Sequence, residues 1–301
     1  MPFAELSGLL AALCWTLSSL LAPTLIKQFG TFRFNTFRIV MAASMLLLIS
    51  LWRVEELDRL ALYLGPLVLS GLLGILIGDT FLFSAVHRLG PRRAGVLFAM
   101  NAPFSILLAW LFLNEQLTWQ ELLSCAVVLV GVIIAILFGR RGQTHEWETT
   151  QGLLWVGALM GLGAALCQAI GALIAKPALV AGVDPIVASA VRVTTGAVAL
   201  SAVYVLLYRP KHQATLSDAR LFPITTWLQL LLLATVGMVI GMSVLVWGVA
   251  NANVGIVTTL SATVPVLILP GLWITTKKIP ALGAWIGAFF VVAGAVGIVL
   301  N

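Results

Sequence analysis

Arg38, Asp79 and Arg192 are the ionisable side chains that stand well inside long apolar runs. A charge in hydrocarbon is expensive, so such residues face a partner, a water-filled path or a substrate. The planar fork of an arginine takes a carboxylate or phosphate bidentately, while a carboxyl can neutralise an arginine or carry a proton. For each arginine, a long stem reaching for the headgroups is the bland alternative.

Depth decides which of these charges can meet. Asp79 lies seven residues before the end of one apolar run, and Arg38 a few residues into the preceding one, entered from the same face. At about 1.5 Å per helical residue, both lie roughly 5–10 Å below one interface. The expectation is a buried ion pair. A second use of Asp79, as a proton carrier, stays open, because burial favours the neutral acid and a neighbouring arginine the carboxylate. Arg192 has no carboxylate in the corresponding place. It is expected to hold the acidic group of an anionic or zwitterionic substrate.

Trp15, Gln168, Asn101, Thr263, Ser243 and Trp247 are the remaining candidate substrate-binding residues. All are polar or amphipathic groups within apolar runs, and Asn101 and Thr263 each precede a proline by two residues (Pro103, Pro265). A proline inside a helix removes one backbone hydrogen bond, so these groups could line a substrate path. Equally, they could join helices by hydrogen bonds.

These residues need long apolar helices to position them, and the composition requires such helices. Of 301 residues, 61% are hydrophobic and 9% charged, against about 25% charged in soluble proteins. A helical span needs roughly 20 apolar residues. Ten spans are read: Leu6–Ile26, Thr36–Trp52, Leu62–Val86, Ala94–Leu113, Leu122–Phe138, Gly152–Ala175, Pro185–Tyr208, Thr226–Ala250, Gly255–Thr275 and Ala281–Leu300. Little chain remains for a soluble domain. The first run lacks a basic flank and reads as a retained span. Cys14, Cys125 and Cys167 lie in apolar runs and read as packing residues.

The chain also repeats itself. Gly8-Leu-Leu-Ala-Ala-Leu-Cys-Trp15 matches Gly161-Leu-Gly-Ala-Ala-Leu-Cys-Gln168 at six of eight positions. The match continues with an offset that drifts from 153 to 163 residues: Arg38 corresponds to Arg192, Gly74-x-x-x-Gly78 to Gly237-x-x-x-Gly241, and Pro103 to Pro265. Asp79 then corresponds to Met242. This predicts a duplication, residues 1–143 and 144–301, with five spans in each half. Two halves of odd span number joined by a short loop insert with opposite orientation. Inverted repeats of this kind are a signature of secondary transporters, with the site near the midplane between the halves.

On these residues the chain resembles the drug/metabolite transporter superfamily, in its ten-helix EamA-type branch. The resemblance rests on the Gly8–Trp15 start, on Arg38 and Arg192 early in spans two and seven, and on the proline-centred fourth span ending in Glu115-Gln-Leu117. In the second half Lys277-Lys278-Ile279 stands where a Glu-x-Leu is usual. The resemblance implies an inner-membrane permease, often an exporter, with a central path lined by both halves.

Twelve of the seventeen basic residues fall in the loops after spans one, three, five, seven and nine, three fall on the other side, and Arg38 and Arg192 are in spans. The positive-inside rule then places the basic face in the cytoplasm and both termini outside. The resemblance implies termini inside. The net charge of +6 therefore reads as membrane orientation and not as nucleic-acid binding.

The reading is an all-α, multi-pass protein of the inner (plasma) membrane. It is expected to transport small metabolites by alternating access, as an exporter or exchanger of amino-acid-like or organic-anion substrates. The alternatives are a multidrug exporter or a non-transporting membrane scaffold. Its expected partners are a small-molecule substrate, the lipid bilayer and, as coupling ion, protons. No clustered catalytic or metal-ligating group argues for an enzyme, a metal or another cofactor.

Overall fold

The computed structural model describes residues 2–53, 57–113, 118–138, 152–208, 222–251, 257, 260–277 and 279–299. The Glu115–Leu117 motif, the lysines and arginines of the two longest loops, Lys278, Gly255 and the 143/144 boundary lie outside them.

The described chain is helical, with no strand. Among the described residues seven apolar helices are long enough to cross a bilayer: α1 (Leu6–Phe29), α2 (Thr31–Ser50), α3 (Arg59–Leu89), α4 (Pro91–Phe112), α6 (Leu154–Val180), α7 (Pro185–Leu206) and α8 (Ile224–Asn251). Three shorter apolar helices accompany them: α5 (Leu122–Ala135), α9 (Val264–Thr275) and α10 (Leu282–Gly297). Their outward faces carry Leu48, Phe112, Val198, Ile274 and Phe289, all more than half exposed. An aqueous surface does not carry apolar residues on this scale; a lipid-facing one does.

Helix boundaries differ from the sequence reading where the turns are tight. One glycine separates α1 from α2 and another separates α3 from α4: Gly30 (φ 76) and Gly90 (φ 82). A left-handed glycine ends a helix without a steric penalty, and Pro91 starts the next one at once with its φ already set. His87 and Arg88 therefore form the last turn of α3. Arg92 and Arg93, which the sequence reading leaves in the turn between the spans Leu62–Val86 and Ala94–Leu113, are each only 2% exposed. Arg92 Nη1 donates to the Ala135 carbonyl at 2.9 Å. It caps the C-terminal end of α5, where free carbonyls and the helix dipole favour a cation.

The helices of the first half pack on those of the second in reciprocal pairs. α1 lies against α8 and α9, as α6 lies against α3 and α4, while α2 packs on α7 and α5 on α10. The close approaches match residue for residue. A Cβ on Gly131 would fall 2.6 Å from the Val291 backbone nitrogen, and one on Gly294 would fall 2.7 Å from that of Val128. A Cβ on Gly78 would fall 3.3 Å from the Cys167 Cβ, and one on Gly241 would fall 3.1 Å from the Cys14 Cβ. Cys14 and Cys167, both free, thus pack against a glycine, as small apolar residues do.

Two pairs of helices depart from regular α geometry at matching places. α3 is π-helical over Leu72–Asp79 and α8 over Thr235–Ile240. α4 breaks at a turn over Ala99–Met100, and a turn over Ala262–Thr263 precedes α9. Each turn comes shortly before a proline. Pro103 cannot donate to the Ala99 carbonyl, which accepts instead from Ala102 N at 3.3 Å.

Candidate functional site

The polar groups within the helices form two clusters, at corresponding positions of the two halves. The first is closed. Arg38, on α2, is 3% exposed. Its Nη2 donates to Asp79 Oδ2 at 2.5 Å and to Asn35 Oδ1 at 2.9 Å. Its guanidinium carbon sits 4.5 Å from the centre of the Phe83 ring, in reach of a cation–π attraction. Asn35 Nδ2 donates to Thr80 Oγ1 at 3.4 Å, and the Thr80 hydroxyl donates to the Leu76 carbonyl at 2.5 Å. The ion pair expected from depth is present, and it sits inside a four-residue network. Asn35 precedes Arg38 by one helical turn, and Thr80 follows Asp79, so two short helical segments supply all four groups.

The second cluster is open. Arg192, on α7, is 4% exposed. Its Nη1 reaches Met242 Sδ at 3.9 Å, and its Nε and Nη2 have no hydrogen-bond partner. Asp79 acts on it electrostatically but hydrogen-bonds to Arg38. Arg38–Asp79 and Arg53–Asp184 are ion pairs. Ser189, one turn before Arg192, is fully buried, and its Oγ is also unpartnered. Ser243, which follows Met242, has an unpartnered Oγ as well.

Arg192 is drawn towards the first half. A Cβ on Gly71 would fall 2.5 Å from the Arg192 carbonyl oxygen, so α7 runs against the glycine face of α3. At Gly74 such a Cβ would stand 3.4 Å from Arg192 Nη2 and 3.8 Å from Gln168 Oε1. Arg192 and Gln168 therefore converge on the π-helical stretch of α3. On the other side Trp15, which corresponds to Gln168, donates from Nε1 to the Gly237 carbonyl at 3.1 Å, within the π-helical stretch of α8. Its ring meets Phe98 of α4 edge-on at 6.5 Å.

Of the residues expected at a site, Arg38, Asp79, Arg192, Trp15, Gln168 and Ser243 lie on or beside these two clusters. Asn101 is buried at the break in α4, and the Thr263 hydroxyl donates to the Leu260 carbonyl at 2.7 Å. Neither hydrogen-bonds to the clusters. Trp247 is 44% exposed. Sequence reasoning missed Asn35, Thr80 and Ser189. The register that matches Arg38 to Arg192 also matches Asn35 to Ser189, and the one that matches Asp79 to Met242 matches Thr80 to Ser243.

Comparison with known proteins bears on the fold and the family. A family model for the EamA-like transporter family matches residues 2–137 and again residues 155–300. A protein of Clostridium kluyveri (strain ATCC 8527 / DSM 555 / NBRC 12016 / NCIMB 10680 / K1), described as an uncharacterized transporter, is 35% identical over 82 residues. That match spans 27% of this chain and 26% of the relative, about a quarter of each. A solved crystal structure aligns over 99% of this chain and 96% of its own, with a TM-score of 0.67 at 17% identity. At that identity the likeness is one of fold.

Proposed function

The chain belongs to the EamA-like transporter family, and from that premise we propose that it carries small metabolites across the inner membrane by alternating access. In this reading ten spans form two inverted five-helix repeats, residues 1–143 and 144–301. The double match of the family model and the reciprocal packing of α1–α8 with α6–α3 support it. The two halves would rock about the clusters that lie between them. The concentration of basic loops on one face favours a cytoplasmic position for that face.

One observation carries the substrate class: Arg192 is buried with two of its three guanidinium nitrogens unpartnered. A buried cation whose donors are unmet is costly. An acidic group on the substrate would satisfy it bidentately. The substrate is therefore an amino-acid-like or organic-anion metabolite, exported or exchanged. A scaffold would be expected to join its in-span polar groups to one another, as the first half does; the open second cluster speaks against that reading. The direct Arg38–Asp79 bond favours a structural pair over proton carriage by Asp79.

The test is thermal stabilisation of the purified protein by a metabolite panel, with Arg192→Gln in parallel. A ligand of the folded state raises apparent stability. Acidic or zwitterionic metabolites should stabilise the wild type and not the variant. Stabilisation by hydrophobic cations alone, equal in both proteins, would overturn the metabolite reading and favour multidrug export.

A further inference from the structure

The two clusters are one design in two states. In the first half an asparagine, an arginine, an aspartate and a threonine satisfy each other (Asn35, Arg38, Asp79, Thr80). In the second half the corresponding positions hold Ser189, Arg192, Met242 and Ser243. The contact between helices is kept: Arg192 points at Met242, as Arg38 points at Asp79. The partners are not kept. Asparagine is replaced by a serine too short to reach the guanidinium, and the carboxylate is replaced by a flexible thioether, a weak acceptor at most. What remains is a cation and two hydroxyls, each with polar atoms that are buried and unpartnered. All lie on α7 and α8, which pack together.

We propose that a substrate carboxylate docks beside Arg192 in the place that Asp79 fills beside Arg38, with Ser189 and Ser243 donating their hydroxyls to it. This rests on the reading that Arg192 holds the acidic group of the substrate, and it deepens that reading. It adds two residues and a size: the slot is that of one carboxylate from a neighbouring helix. A carboxylate is planar, with two oxygens that face the guanidinium fork, and it accepts about four hydrogen bonds in all. The fork and two hydroxyls match that number. A phosphate has a third oxygen and a tetrahedral shape, which the Asp79 precedent does not provide for. Met242 yields by rotating its unbranched side chain.

The inference predicts an internal competitor. In Met242→Asp the protein supplies the carboxylate itself, and the second cluster closes as the first does. The variant should melt several degrees higher than wild type without ligand. It should lose stabilisation by monocarboxylate and amino-acid ligands, and their transport in proteoliposomes should fall at least tenfold. Ser189→Ala and Ser243→Ala should each weaken carboxylate binding about tenfold, one hydrogen bond to a charged group. Neither should lower the melting temperature without ligand, because neither hydroxyl bonds to anything there. If Met242→Asp fails to fold, these two alanine variants decide the matter.

Normal transport by Met242→Asp, or full affinity in both alanine variants, would overturn the proposal. So would a preference for phosphate monoesters over carboxylates in the wild type. These outcomes are separable from failure of the underlying reading. If Arg192→Gln itself transports normally, the role of Arg192 falls. If Arg192→Gln is inactive while the other three variants behave as wild type, only the carboxylate slot falls.

Discussion

Removing Arg38 and Asp79 singly and together gives a direct measure of how the first half is held. The Asp79 side chain is 17% exposed and that of Arg38 is 4% exposed. Asp79→Ala leaves Arg38 with Asn35 and the Phe83 ring, and with no counter-charge. Leaving one member of a buried pair uncompensated costs about 3–5 kcal/mol. The remaining acceptor and the ring, together with the partial exposure of Asp79, place this case at about 3 kcal/mol. Arg38→Ala leaves a carboxylate that has lost its hydrogen-bonded partner and keeps only the electrostatic influence of Arg192, and it costs about the same. The double variant loses both charges and strands neither, so it should cost no more than either single variant, at most about 3 kcal/mol against a sum of about 6, a coupling of at least ~3 kcal/mol. Unfolding in mixed micelles by a denaturing detergent, followed by tryptophan fluorescence, would measure all four corners of the cycle. Additivity within about 0.5 kcal/mol would refute the pairing as an energetic unit, since that is how independent sites behave.

Other perturbations follow from the same geometry. Arg192→Met replaces an unsatisfied buried cation by an apolar chain of similar length; folded stability should rise by about 1–3 kcal/mol while transport is lost, and a fall in melting temperature would contradict this. Gly71→Ala should cost at least about 2 kcal/mol by forcing α3 away from the Arg192 backbone, whereas Gly65→Ala, with nothing within 4 Å of the added carbon, should be neutral; thermal melts of the two variants make the comparison. Trp15→Phe keeps the ring but removes the bond to Gly237 and should cost about 1 kcal/mol, read from the same melts.

The sequence and the structure agree most closely where fixed helical rise does the work. Arg38 and Asp79 enter from one face at similar depth, and a regular helix leaves them little choice but to meet. The lack of a carboxylate for Arg192 was legible in the same way, from the register that puts Met242 opposite Asp79. Arg92 and Arg93 were misplaced because clustered arginines normally mark a solvated loop. Here the loop is one glycine long, and Arg92 turns inward to the open carbonyl end of α5. Ser189, Asn35 and Thr80 left no trace in the hydropathy pattern, because one hydroxyl or amide among many apolar neighbours barely changes it. The π-helical stretches were invisible for a related reason: they shift backbone hydrogen bonds by one residue, and side-chain periodicity over six to eight residues does not record that.

The unmet donors of Arg192 also bear on how long the protein lasts in a cell. If Arg192 holds the acidic group of the substrate, as proposed, a newly inserted chain that has not met its substrate carries a buried charge with idle hydrogen-bonding groups, a local weakness at the seam between α7 and α8. Cellular proteases act on the fraction of molecules that opens, and a shift of 1–2 kcal/mol, on the order of one satisfied charge, changes steady-state abundance several-fold. Cells starved of the transported compound should therefore hold less of this protein at equal rates of synthesis, and feeding the compound should lengthen its half-life in a pulse-chase. Met242→Asp, which brings its own counter-charge, should turn over slowly whether the compound is present or not.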